Sequence, residues 1–278
     1  MIAKKIFPAV LILFALAFAS CSNKSENVDS DYPKHFDFTL VDNFFKQYVK
    51  DGKVDYEAVK KDNALTSYIE QVKNFEPYGI EDEKERLAFW VNAYNAFTIK
   101  LIADHYPVNS ILDIQEKTGQ SPWDIEFIEV AGGRKLSLDE IEKEIIIPEF
   151  KEARIHYVLV CAAESCPPII SQAYLPDNLF QLMDRQAERF LNDKDKNYLD
   201  KEDKELYLSM IFKWYGRDFR KADSSVINHV LKYLNEDDKN FIRQNNVDDI
   251  SYLDYNWKLN GLKKDSSENS TAKVNEEN

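Results

Sequence analysis

The chain has 278 residues, with 36 basic against 49 acidic side chains, a formal net charge of −13 and 44% hydrophobic residues. An acidic balance with no dominant cluster of Lys or Arg argues against nucleic acid, whose phosphate backbone rewards such clusters, and is most simply a solubility feature. Only 7 Gly but 17 Phe and 15 Tyr can furnish a sizeable core, and the length suits one compact domain with short non-globular ends.

Lys4 and Lys5 precede an uncharged run over 6–18 and then Ala19-Ser20-Cys21, the charged, apolar and small-residue order of a signal peptide. The run is short for a spanning helix, which takes about 20 apolar residues, so 1–20 reads as a leader that is removed. Phe18-Ala19-Ser20-Cys21 resembles the bacterial lipobox. That resemblance implies a diacylated, palmitate-bearing Cys21, and at about 0.8 kcal/mol per buried methylene two chains anchor stably. The expected place is the cell envelope, on the outer membrane or the periplasmic face of a membrane. Losing Lys4 and Lys5 leaves 34 basic against 49 acidic residues, about −15. Residues 21–33 read as a flexible tether and 263–278 as a disordered tail. Between them lies the globular domain, 34–262, with no internal repeat and no second run able to span a membrane.

Along the domain, Leu40, Phe44, Phe45 and Tyr48 predict a helix over 39–50 with Asp51-Gly52 as its C-terminal stop. Leu65, Tyr68, Ile69 and Val72 repeat the spacing. After Pro77-Tyr78-Gly79 comes the strongest helix, 81–105, with an acidic first turn and Pro107 beyond its end. It is apolar on nearly every side, which predicts burial. Segments 125–130 and 134–138 flank Ala131-Gly132-Gly133 as a β-hairpin. Ser137 and Glu140 form a capping box opening a helix that Pro148 stops. The run 154–161 reads as a central strand. Helices follow over 176–191, 206–214 and 223–234, and 252–259 reads as extended. Helices outnumber strands, so the expected class is α+β: a mostly helical single domain with a small central β-sheet.

Two places carry candidate chemistry. Asn92 and Asn95 lie three apart on the buried helix and face roughly the same way. An unpaired buried polar group costs about 1–3 kcal/mol, so they either brace neighbouring loops or line a cleft for a peptide or small-molecule ligand. The second place is His156 to Cys161, followed by Cys166-Pro167-Pro168. Besides Cys21, Cys161 and Cys166 are the only cysteines, and in an oxidising compartment one reading is a short disulfide. The other makes Cys166 the nucleophile of a hydrolase or transferase acting on envelope peptides, with His156 or His105 as base and Asn92 or Asn95 orienting the site. On a strand, His156 and Cys161 would face opposite sides, whereas Cys166 lies in a loop. The His156, Cys161 and Cys166 spacing matches no zinc pattern, so no metal is expected. No Walker loop, Rossmann fingerprint or G-x-S-x-G elbow occurs, and no cofactor is implied. The leading reading is a membrane-tethered ligand-binding or scaffolding domain with bridged cysteines; the alternative is the thiol enzyme.

Three sets of residues resemble one family, the domain of unknown function 547: Ala88-Phe89-Trp90-Val91-Asn92-Ala93-Tyr94-Asn95-Ala96; Arg154-Ile155-His156 with Val160-Cys161 and Ser165-Cys166-Pro167-Pro168; and Trp214-Tyr215 with Asp218-Phe219. Tyr255-Asn256-Trp257-Lys258-Leu259-Asn260 is similar to its closing element, and Lys143 stands where many members carry His. The resemblance implies that 88–96 and 154–168 belong to one site, and it names no activity.

Overall fold

Thr39–Tyr48 form α1, burying Val41, Phe44, Phe45 and Tyr48 at the predicted helical spacing. The computed structural model describes residues 33–262; the predicted leader, Cys21, the tether up to residue 32 and the tail lie outside the described residues. α1 does not extend to 50, and Asp51-Gly52 does not cap it. Val49–Lys50 (β1) instead pairs antiparallel with Lys53–Val54 (β2), with Asp51 (φ 51°) and Gly52 (φ 83°) as the two-residue turn. Two central residues at positive φ give the turn whose twist suits a hairpin, and Asp-Gly is a favoured pair for it. Gly52 is required twice over, because a Cβ there would also lie 2.7 Å from Pro168 Cβ.

After α2 (Tyr56–Asp62) and α3 (Thr66–Lys73) comes the central helix α4, Glu83–His105. The Asp82 carboxylate accepts from the N–H groups of Lys84 and Glu85 and starts it cleanly. Nearly every residue from Leu87 to Ala103 is buried, as the all-round apolar pattern predicts. α5 (Asp113–Thr118) follows, then the predicted hairpin, Ile128–Glu129 (β3) with Lys135–Leu136 (β4). The capping box forms in both directions: Glu140 N–H donates to Ser137 Oγ at 3.1 Å and Ser137 N–H to the Glu140 carboxylate at 2.8 Å. The helix it opens is π-wound over Glu140–Ile146 and α-wound over Ile147–Phe150 (α6). It therefore passes Pro148, which sits at the start of α6, and ends where Lys151 turns left-handed at φ 53°.

The predicted central strand over 154–161 does not form. Ala153–Tyr157 make a 3₁₀ turn and the following residues run irregularly through the interior. The Asn95 side chain takes the backbone groups that a neighbouring strand would pair, donating to Val158 O at 2.8 Å and accepting from Val160 N–H at 2.9 Å. A continuous apolar run signals burial, and burial alone does not select a strand.

α7 spans Leu179–Leu191. Tyr198–Asp200 (β5), Glu205–Leu208 (β6) and Ile250–Tyr252 (β7) make a three-stranded sheet, β5 antiparallel and β7 parallel to β6. This corrects the single helix predicted over 206–214. Leu206 and Leu208 are buried while Glu205 and Tyr207 are half-buried, which is the two-residue period of a strand, and only Ile211–Trp214 (α8) is helical. α9 (Gly216–Asp223), α10 (Val226–Val230) and α11 (Glu236–Asn245) complete the described helices, so the helix predicted over 223–234 is confined to α10. The class is the expected mostly helical α+β domain, with the strands shared among three small sheets.

The extended segment 256–262 pins these parts together. Ser165 N–H donates to Asn256 O, Glu164 N–H to Lys258 O, Asn260 N–H to Ala162 O, Leu259 N–H to Asn109 O, and Val54 N–H to Asn260 O. Among the described residues no helix is long and apolar enough to cross a membrane.

Candidate functional site

Asn92 and Asn95 are 0% and 2% exposed, and their amides are spent on backbone. Asn92 exchanges hydrogen bonds with Tyr174, accepting from its N–H at 3.0 Å and donating to its carbonyl at 2.7 Å, and donates to Ala88 O at 2.8 Å. Asn95 holds 158–160 in the same way. The pair hangs two loops on α4 and does not line the cysteines' cavity. His105 ends α4 with Nδ1 2.9 Å from Leu101 O and lies away from the cysteines' cavity.

His156, Cys161 and Cys166 do converge. They line one cavity of about 280 Å³, together with residues from α4, the loop at 121–123, the π-wound helix, α8 and the segment at 255–257. Three of the chain's four tryptophans stand there. Trp123 meets Trp257 at 5.8 Å between ring centroids, Trp257 meets Trp214 at 5.8 Å and Tyr255 at 4.6 Å, and Trp214 meets Tyr255 at 4.8 Å. Trp214 is nevertheless 46% exposed.

Facing this aromatic wall are Glu142 and Lys143 on the π-wound helix. The wider turn of a π helix shifts side chains relative to an α helix, and such turns are frequent at functional sites. Glu142 is buried and accepts from the Tyr94 hydroxyl at 3.1 Å. Burial, reinforced by Glu142, drives the Tyr94 and Tyr215 phenols far above their ordinary range, so both stay protonated beside the carboxylate. Burial works against the charge on Lys143, but its 2.6 Å bond to Asp139 and the Asp139 and Glu142 charges outweigh it and raise its pKa.

His156 stacks on Tyr215 at 4.0 Å and places Nε2 3.2 Å from the Asp218 carboxylate. The hydrogen bond to His156 is the main reason that Asp218 titrates below its usual range. His156 and Asp218 also line a second cavity, about 540 Å³, beside Lys151 and Lys221; the imidazole thus borders both cavities. Cys161 and Cys166 are joined by a disulfide. The Tyr255 hydroxyl lies 3.1 Å from each sulfur, and burial raises its pKa.

Glu142, Asp218, Trp123 and Tyr255 escaped assignment to the site from sequence. Trp123 and Trp257 lie outside the predicted helices, in polar sequence surroundings where core packing does not call for a large aromatic, and that was the available signal; Trp214, at the end of a predicted helix, gave none. Asp218 lay inside a quoted motif but had no partner until the fold brought α9 to His156. Among the described residues no group of three or more His, Cys, Asp or Glu converges as metal ligands.

The fold and site define a class: an α+β domain carrying an aromatic-walled cavity above a buried carboxylate, a histidine–aspartate pair and a disulfide. Residues 80–191 match the model of the family described as "Protein of unknown function, DUF547", the family to which the motifs pointed. No curated protein and no solved structure matches the chain. The matched segment supplies Tyr94, Glu142, His156 and both cysteines, whereas Trp214, Tyr215, Asp218, Tyr255 and Trp257 come from beyond it.

Proposed function

We propose that this chain is an envelope lipoprotein, anchored through Cys21, whose domain binds a small organic or peptide ligand in the aromatic cavity. The observation that carries the reading is Trp214: a tryptophan 46% exposed on the wall of a concavity keeps apolar surface in water that a ligand would cover. The wall suits a flat apolar face, and Glu142 suits a hydroxyl or amine donor on the same ligand. Titration with panels of saccharides, amines and short peptides, followed by tryptophan fluorescence, is expected to give a saturable change that Trp214→Ala abolishes. A variant that responds like the wild type would overturn the reading. For the anchor, Cys21→Ser is expected to move the protein to the soluble fraction, and retention on membranes contradicts it.

The thiol hydrolase or transferase is a second reading, supported by His156 and Cys166 lining the same cavity. It requires an open Cys161–Cys166 bridge and draws no base from His105 and no orienting group from Asn92 or Asn95. Loss of any thiol-dependent turnover in Cys166→Ser, after reduction, is its test.

A further inference from the structure

The disulfide lies on the wall of a cavity, in a loop that other bonds also hold. Both cysteines line the cavity. They differ in access: Cys161 is partly exposed, whereas Cys166 is 2% exposed. The covered sulfur is also the better supplied with donors, since Cys161 N–H lies 3.1 Å from Cys166 Sγ and the Tyr255 hydroxyl lies 3.1 Å from it as from Cys161 Sγ. Hydrogen bonds to a charged form favour that form, so a thiolate on Cys166 would find two donors already in position. Nor does the loop depend on the bond. Ala162, Glu164 and Ser165 tie it to the segment 256–262, and Lys196 Nζ donates to Cys166 O at 2.6 Å. The bridge spans a sequence separation of 5, and short loops gain least from closure.

We propose that the Cys161–Cys166 bridge is redox-active, exchanging with a dithiol that enters the cavity, with Cys161 the attacked sulfur and Cys166 the leaving thiolate. One thiolate of the dithiol attacks Cys161 Sγ; a mixed disulfide forms and the Cys161–Cys166 bond breaks, its electron pair going to Cys166. The second thiolate then attacks the dithiol's own sulfur in the mixed disulfide, releasing Cys161. The dithiol is oxidised by two electrons to a cyclic disulfide and the bridge is reduced by two; protons lost by the dithiol end on the two cysteines or in water. Run backwards with an oxidised dithiol, the same steps close the bridge. A low leaving-group pKa speeds the first step, which is the role assigned to Tyr255, a positioning residue acting on sulfur. The proposal does not rest on the ligand reading, since exchange requires only access to Cys161.

Purified full-length protein treated with millimolar dithiothreitol under native conditions is expected to open the bridge with its circular dichroism unchanged, and oxidised dithiothreitol to close it again. Reduced glutathione, followed by acid quench and peptide mapping, is expected to leave its adduct on Cys161. In Cys161→Ser, the ultraviolet thiolate absorbance of Cys166, which needs no reagent to reach the covered sulfur, is expected to titrate below the ordinary cysteine range, and adding Tyr255→Phe should shift that pH profile upward. A bridge that opens only in concentrated guanidinium, an adduct on Cys166, or a pH profile indifferent to Tyr255→Phe in folded protein overturns the proposal. The adduct map needs no variant and stands if the variants fail to fold.

Discussion

Helix α9 carries an aspartate near each end, and each holds a histidine whose side chain is 2% exposed: Asp218 with His156, and Asp223 with His229. Each imidazole also stacks on a tyrosine, His156 on Tyr215 and His229 on Tyr157. Pair for pair the chemistry is the same, and the surroundings are opposite. His156 borders a cavity on either side. His229 is walled by the rings of Tyr157, Phe219 and Tyr233, its Nε2 has no hydrogen-bond partner among the described residues, and burial, opposed by Asp223, lowers its pKa. The contrast sets one histidine–aspartate pair at the border of two cavities and leaves the other, a turn away, enclosed in packing.

The sharpest way to break this contrast is to remove each carboxylate. Asp223→Ala strands a buried imidazole and frees Lys232, which pairs with the same carboxylate; a loss of about 3 kcal/mol in denaturant unfolding is expected. The response of the aromatic cavity to ligand should be unaffected. A loss below about 1 kcal/mol would mean that the inner pair is no more structural than the outer one.

Next in size is the pH dependence of stability. His229 faces Asp223, Lys232 and Glu152, and its folded pKa lies below its ordinary value. As pH falls through about 6.5 the unfolded chain therefore takes up the proton first, and stability declines by at most about 1.4 kcal/mol per pH unit until the lowered folded value is reached. His229→Gln is expected to flatten that limb. Asp218 and Asp223 both titrate low in the fold. Their contribution is complete above about pH 4 and is lost as the pH falls through their lowered values, giving a second limb that His229→Gln leaves in place.

Asp218→Ala should cost only about 1 kcal/mol, because that carboxylate is partly exposed and lies 3.2 Å from its partner. It releases the His156 ring, so the ligand response of the cavity should change where Asp223→Ala leaves it alone. Of similar size is the effect of Trp214→Ala on stability, about 1 kcal/mol for a ring half in water that still meets Tyr255 and Trp257, against complete loss of the fluorescence response.

Sequence pattern read the frame well where one physical cause dominates. α4 announced itself through apolarity on nearly every side and an acidic first turn, and Ser137 with Glu140 marked the next helix through a cap that forms as drawn. It failed where the partner is remote. Nothing near 158–160 says that Asn95, over sixty residues earlier, will satisfy that backbone in place of a neighbouring strand. Likewise Leu206 and Leu208 fit a helix or a strand until β7 pairs with them, and Asp51-Gly52 fits a helix stop or a hairpin turn until β2 does. The candidate site followed the same rule. His156, Cys161 and Cys166 are close in sequence and were found together, whereas Asp218, Trp214 and Tyr255 entered only through the tertiary fold.

The stitching of 256–262 across the first hairpin and the cysteine loop has a consequence for how the molecule is made. Synthesis delivers that stretch after every element it fastens, and contacts of such long sequence separation are slow to form. Until it docks, Val54 and the 162–165 turn keep unpaired backbone, and Tyr255 and Trp257 have no fixed place. A chain cut short before this segment would lack Trp257 and the backbone partners that the segment gives Val54 and 162–165, and with them one side of the aromatic wall.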